Sequence, residues 1–158
     1  MRLGIVSDVH CQDEHLKLTV MAMIADGVDE ILCAGDAHYE YRMSNEVAEI
    51  ITGAPANILR AIAITESNEN DNAVGDDGIS KGRMQLNELY HNERVMKYGE
   101  YNPYDSLESV IIAGFLFMDN LIRLGDIDKA IAAHRQGVNG VRKYGASEWY
   151  VNRVKSNL

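Results

Sequence analysis

The pattern of apolar and polar positions changes character near residue 45. Before it, two short apolar runs at residues 2–7 (RLGIVS) and 30–34 (EILCA) flank a stretch, 14–26, with Leu16, Val20, Met23 and Ile24 at helical spacing. Strand, helix and strand in that order predict a βαβ unit. Such a unit ordinarily sits in a larger parallel sheet, yet no further strand pattern follows. Beyond residue 45 the periodicity is helical. A short helix is expected over 45–51, then one over 57–67 whose Ile58, Leu59, Ala61, Ile62, Ala63 and Ile64 leave little polar surface, which places it in the interior. Pro55 suits the start of that helix. Residues 68–83 are polar and glycine-containing, hence a loop. Further helices are expected over 84–98, 106–124, 127–135 and 147–155, with Gly125 as a stop, 137–145 as a glycine-rich turn, and Ala113 and Gly114 permitting close helix contact.

Composition narrows the class. The 158 residues suffice for one cored domain with a small appendage, and 46% apolar with 25% charged residues is ordinary for a soluble globular chain. Apolar runs are too short and interrupted to span a bilayer, so no membrane partner is expected. The apolar start at 3–6 is cut off by Ser7, Asp8 and His10, so no signal peptide is read and synthesis in the cytoplasm is expected. Cys11 and Cys33 are too few for a disulfide scaffold and are expected as free thiols. A net charge of −9 argues against nucleic acid as a partner. The charge is uneven: from Lys129 onward six cations face Glu148 alone, leaving +5 there and −14 over the rest. A basic end suits an anionic polymer, and equally a solvated helical surface.

The chemistry concentrates in residues 61–86, AIAITESNENDNAVGDDGISKGRMQL. Glu66 ends the most apolar helix, just before the polar loop. Burial against hydrocarbon disfavours a carboxylate, so a glutamate there is expected to hold a proton near neutrality. A protonated carboxylic acid at a cleft edge can protonate a glycosidic oxygen as the bond breaks. Gly75, Gly78 and Gly82 let backbone approach a bulky ligand. Ser67, Asn70, Ser80 and Gln85 offer neutral polar groups suited to sugar hydroxyls, or equally to holding the turn.

In order and spacing, Glu66-Ser67, Asn70, Ala73-Val74, Gly78, Ser80, Gly82 and Met84-Gln85-Leu86 resemble the soluble lytic transglycosylase family, of the goose-type lysozyme-like superfamily. The likeness continues with Asn102-Pro103 before the long helix, with 132–137 (AAHRQG) where the family carries Ala-Tyr-Asn-x-Gly, and with Tyr150-Val151, and covers about residues 54–158. Asp71 stands where proline is usual, and His134 and Arg135 replace tyrosine and asparagine. The resemblance implies a mainly α, lysozyme-like fold and cleavage of the β-1,4 MurNAc–GlcNAc bond of peptidoglycan, with Glu66 as general acid and then base. It implies substrate contacts from Ser67, Ser80, Gly82, Met84, Gln85, His134 and Tyr150, and no cofactor. In lytic transglycosylases the muramoyl C6 hydroxyl attacks and gives a 1,6-anhydro product, whereas two-carboxylate hydrolysis needs a partner. Glu69, Asp71, Asp76 and Asp77 lie nearby but read as a solvated loop. Trp149 is expected to pack in the core rather than to stack on sugar.

The N-terminus carries a second resemblance. Asp8-Val9-His10 after one strand and Gly35-Asp36 after the next resemble the opening of calcineurin-like metallophosphoesterases, over about residues 1–47. No downstream Gly-Asn-His-Asp/Glu or Gly-His-x-His segment follows, so Asp8, His10 and Asp36 are weak metal candidates in what reads as a remnant. The expected organisation is a βαβ-like segment, 1–44, joined to a lysozyme-like domain, 45–158, α+β overall. Two parallel strands make a poor sheet alone, so residues 1–44 are expected to pack on the helical domain or on a second copy. The alternatives are a metal-dependent phosphoesterase using Asp8, His10 and Asp36, or a saccharide-binding protein without catalysis. Without a leader, access to the cell wall would follow release from the cell.

Overall fold

The structure, a computed structural model, describes residues 3–7, 26–27, 30–34 and 37–158, with side chains at 26–27 and from residue 44 onward. Two strands come first, β1 (Leu3–Ser7) and β2 (Glu30–Ala34), paired parallel with Leu3 opposite Glu30 and Ser7 opposite Ala34. This is the pairing a βαβ unit requires. The connecting helix expected over 14–26, Cys11, and the weak metal candidates Asp8, His10 and Asp36 lie outside the described residues.

Helices follow: α1 (Ala37–Thr52), α2 (Ala56–Ser67), α3 (His91–Tyr98), α4 (Ser106–Leu124), α5 (Ile127–Tyr144) and α6 (Glu148–Lys155). Helix α4 is the centre. It packs against α1, α2, α3 and α5, while α2 also meets α1 and α6. Its apolar face explains this, with Val110, Ile112, Ala113, Gly114 and Phe117 buried along it. The core joins these to Leu59 and Ile62 of α2, Ile131 and Ala132 of α5, and Tyr150 and Val154 of α6. Burying each large aliphatic side chain stabilises the fold by about 1.5–3 kcal/mol. Helix α1 can approach because position 114 is glycine: a Cβ there would sit 2.5 Å from the Thr52 hydroxyl oxygen. Asp105 caps the start of α4, accepting from the N–H groups of Leu107 and Glu108 at 2.9 Å each. Gly125 closes it in the left-handed conformation.

Four expectations need correction. Helix α1 is longer than 45–51 and crosses the composition change near residue 45. The loop 68–83 contains β3 (Val74–Gly75) and β4 (Ser80–Lys81), which form a small antiparallel sheet, order β3-β4-β5, with β5 (Leu86–Asn87). The helix expected over 84–98 is therefore only its second half, because Met84 and Leu86 serve the loop and sheet before α3 begins. Helix α5 does not end before Gly137; the chain kinks there, at φ 67° and ψ 161°, and helix resumes to Tyr144. No helix among the described residues is long and apolar enough to cross a membrane.

Candidate active site

Glu66 occupies the last turn of α2, held by a helix whose Ile58, Leu59, Ala61, Ile62 and Ala63 are buried. The helix stops because Asn68 and then Glu69 turn left-handed, at φ 56° and 60°. Asn68 tolerates this conformation through its short polar side chain; Glu69 does not do so cheaply. Asp76, Asp77 and Gln85 also have positive φ. All five non-glycine residues with positive φ among the described residues thus lie in 68–85, immediately after Glu66. Each such residue costs on the order of 1–3 kcal/mol and persists only where its surroundings enforce it, a condition that gathers at functional sites.

What enforces it here is a set of loop contacts. Ser67 Oγ donates to the Arg83 carbonyl (2.9 Å) and accepts from the Asn70 N–H (3.0 Å), so one hydroxyl ties the start of the loop to its end. Ser80 Oγ donates to Asp76 Oδ2 at 2.6 Å. Gln85 Nε2 donates to the Gly82 carbonyl at 2.8 Å, with its amide oxygen against Gly75. Gly82 sits at φ 69° where a Cβ would fall 1.8 Å from the Pro103 carbonyl oxygen, so the loop lies flat against the 102–103 segment. Met84 is fully buried, and its carbonyl faces His134 Nε2 of α5 at 2.9 Å. A carbonyl only accepts, so His134 carries its proton on Nε2.

The carboxyl group of Glu66 is partly buried and meets one side chain from the far end of the sequence. Tyr150 Oη, on α6, donates to Glu66 Oε1 at 2.5 Å. Tyr150 is 1% exposed. Burial, then the neighbouring charge of Glu66 and their hydrogen bond, push its phenol far above the usual tyrosine range, against a smaller opposing pull from Arg135. Tyr150 therefore remains a donor across the whole physiological pH range. Helices α5 and α6 present it through Gln136, whose side chain accepts from Ser147 N–H (2.8 Å) and donates to the Gly145 carbonyl (3.2 Å) across their turn.

The sequence-predicted residues thus fall into one neighbourhood with separate attachments. Glu66 and Tyr150 touch; Ser67, Ser80, Gly82 and Gln85 order the loop; Met84 and His134 join that loop to α5. Sequence reasoning missed Arg83. Its side chain is 0% exposed. It forms an ion pair with Asp71 (Nε to Oδ1, 3.0 Å) and donates to Ser106 Oγ (2.9 Å) and to the Glu69 carbonyl (3.5 Å). Ser106 in turn shares a hydrogen bond with Ser44 of α1 at 3.0 Å. One buried guanidinium so fastens the loop to the start of α4. The signal was in the sequence as a pair of oddities: an arginine inside Gly82-Arg83-Met84, and an aspartate where the family pattern has proline.

Trp149 corrects another expectation. It is 57% exposed rather than packed in the core. The buried face of α6 is Tyr150, Val151 and Val154, which turns position 149 outward.

A family pattern described as "Transglycosylase SLT domain" matches residues 43–153. The span begins inside α1, earlier than the residue-54 start read from motifs, and includes Glu66, the whole loop, His134 and Tyr150. It leaves out β1 and β2. No curated protein matches the chain.

Proposed function

Because the chain belongs to the transglycosylase SLT domain family, whose members are peptidoglycan lytic transglycosylases, we propose that Glu66 is the residue that breaks the β-1,4 bond between MurNAc and GlcNAc. The mainly α, lysozyme-like architecture agrees with that membership. The observation that carries the proposal is the Tyr150–Glu66 hydrogen bond. With Oε1 occupied by the phenol, the acid form of Glu66 holds its proton on Oε2. That proton passes to the glycosidic oxygen as the C1–O bond breaks, and the leaving GlcNAc departs as an alcohol. The resulting carboxylate then takes the proton of the muramoyl C6 hydroxyl as its oxygen bonds to C1. The glycan is left with a 1,6-anhydro end, and no water is consumed.

A second carboxylate is not needed for this route, and of the four nearby ones three are engaged elsewhere while Asp77 is exposed. Asp71 pairs with Arg83, Asp76 accepts from Ser80, and Glu69 lies 3.6 Å from Arg60. That engagement favours the single-acid reaction over hydrolysis by a carboxylate pair. Ser67, Ser80, Gly82, Met84, Gln85 and His134 are assigned to shaping the saccharide cleft, with the loop that they order presenting backbone and amide groups to the acetamido sugars. We assign the chemistry to residues 45–158 and place its action at the cell wall, after release.

Glu66→Gln keeps the side chain's shape and removes the transferable proton, so cleavage of purified sacculi should fall by roughly a hundredfold or more. Mass spectrometry of the wild-type digest should show muropeptides lighter by one water than hydrolysed ones. Near wild-type cleavage by a folded Glu66→Gln protein would overturn the assignment of the acid, and hydrated products would overturn the route.

A further inference from the structure

The face beside Glu66 carries a cluster that the bond-breaking chemistry leaves unused. Arg135 of α5 lies over two rings of α6, with its Cζ 5.2 Å from the Trp149 ring centre and 6.0 Å from that of Tyr150. Arg153, one helical turn beyond Trp149, lies 5.6 Å from the same indole. Two cations thus lie within cation–π reach of Trp149, which remains more than half exposed. Among the described residues the ion pairs are Arg60–Glu69, Arg83–Asp71, Lys97–Asp119 and Lys155–Asp128, and neither guanidinium at Trp149 is in one of them. The cluster belongs to the stretch from Lys129 onward with net charge +5, in a chain of net charge −9. Through Arg135 it reaches the ring of Tyr150, the tyrosine hydrogen-bonded to Glu66.

We propose that Arg135, Trp149 and Arg153 form a subsite for the peptide stems of peptidoglycan, the arginines taking stem carboxylates and the indole face taking the apolar side of stem or sugar. Glycan strands themselves are neutral apart from what their muramoyl groups carry. A peptide stem brings a C-terminal carboxylate and acidic side chains, and planar guanidinium groups held against an aromatic face suit bidentate carboxylate capture. The subsite lies within reach of the bond being cut because Arg135 and Tyr150 are in contact, and Tyr150 touches Glu66. The assignment rests on the reading of Glu66 as the site of cleavage. It adds a preference: the protein acts on strands that still bear stems.

Trp149 is the chain's one tryptophan, so its fluorescence reports this patch alone. The experiment uses the full chain with Glu66→Gln, titrated with glycan oligomers bearing tetrapeptide stems and with the same oligomers stripped of stems by an amidase, their freed lactyl carboxylates capped as methylamides. Stem-bearing oligomers should change Trp149 emission and bind roughly three- to tenfold more tightly than stripped ones, the range expected of exposed charge pairs. Arg135→Gln combined with Arg153→Gln should erase that preference and leave stripped-strand binding unchanged. Equal binding of both oligomers overturns the proposal, as does an equal loss on both in the double variant. Intact oligomers recovered after titration show that turnover was stopped; cleaved ones would indict Glu66 and leave the stem preference to be read from the initial emission change.

Discussion

At the scale of single residues, two side chains bear on the role proposed for Glu66. Tyr150 donates a hydrogen bond to Glu66, and burial with the neighbouring carboxyl group holds its phenol above the usual tyrosine range. Tyr150→Phe removes that donor and little volume. A hydrogen bond to an ionisable partner contributes about 1.5–3 kcal/mol, which corresponds to roughly a tenfold to hundredfold fall in rate. If the phenol positions the acid, the fall should appear in kcat with KM little changed; a change confined to KM would show that Tyr150 binds substrate, the role the family resemblance implies for it. Arg83 acts one step further back. Taken out of water, its guanidinium depends on Asp71, Ser106 and the Glu69 carbonyl. Asp71→Asn removes the carboxylate that pairs with this buried cation among the described residues; breaking a fully buried pair costs about 3–5 kcal/mol, and less is expected here because Asp71 is 20% exposed. A fall in melting temperature of several degrees is expected from Asp71→Asn, with partial recovery in the double variant Asp71→Asn/Arg83→Met. Additive losses in calorimetry would show that the two side chains do not act as a pair.

Elements differ in how openly the sequence declares them. Helices α2 and α4 were legible to within a residue or so, since each has a long apolar face, with Pro55 marking the start of one and Gly125 the stop of the other. The three strands of the loop were not, because a two-residue strand has no periodicity to detect. Its order comes instead from side-chain ties such as Ser67 to Arg83, which join residues sixteen apart. The kink at Gly137 was read as a helix end for a similar reason: one left-handed glycine marks a break, and only packing of the following turn shows that the helix resumes. Within the candidate site the motif order placed Glu66 and Tyr150 on the page, but not that they touch across 84 residues. Between elements, α3 is fastened to α4 by Lys97 and Tyr98, which both reach Asp119. Burial raises the pKa of Asp119, but hydrogen bonds from Lys97 and Tyr98 outweigh it and hold the carboxyl below its ordinary value. A carboxylate with a lowered folded pKa contributes stability above its unfolded pKa and loses it as pH falls through the folded one. Asp119→Asn should therefore melt lower than wild type at neutral pH, and the gap should close in acid below the ordinary carboxylate range. A gap that persists unchanged at the lowest pH would assign the loss to packing.

At the scale of the molecule, the chain divides by chemistry more sharply than by structure. The family match covers 43–153, and every residue assigned to cleavage lies within it. Helix α1 belongs physically to the helical body, since Thr52 packs on Gly114 and Ser44 bonds Ser106, although its first turns precede the match. A cut for separating the N-terminal segment therefore belongs before Ala37, not at residue 44, so that α1 stays whole. Deleting residues 1–36 should leave cleavage per folded molecule unchanged, because Glu66, the loop 68–85 and Tyr150 all lie beyond the cut. The β1–β2 pair is expected to contribute stability without chemistry, so the shortened protein should melt lower or dissolve less well. Asp8→Ala combined with His10→Ala in the full chain tests the same point without shortening it, and lysis of sacculi should again be unaffected. A shortened protein that is folded by circular dichroism yet fails to cleave would mean that the segment builds part of the site. Loss of cleavage in the double substitution alone would bring the metal-ligand reading of Asp8 and His10 back into force.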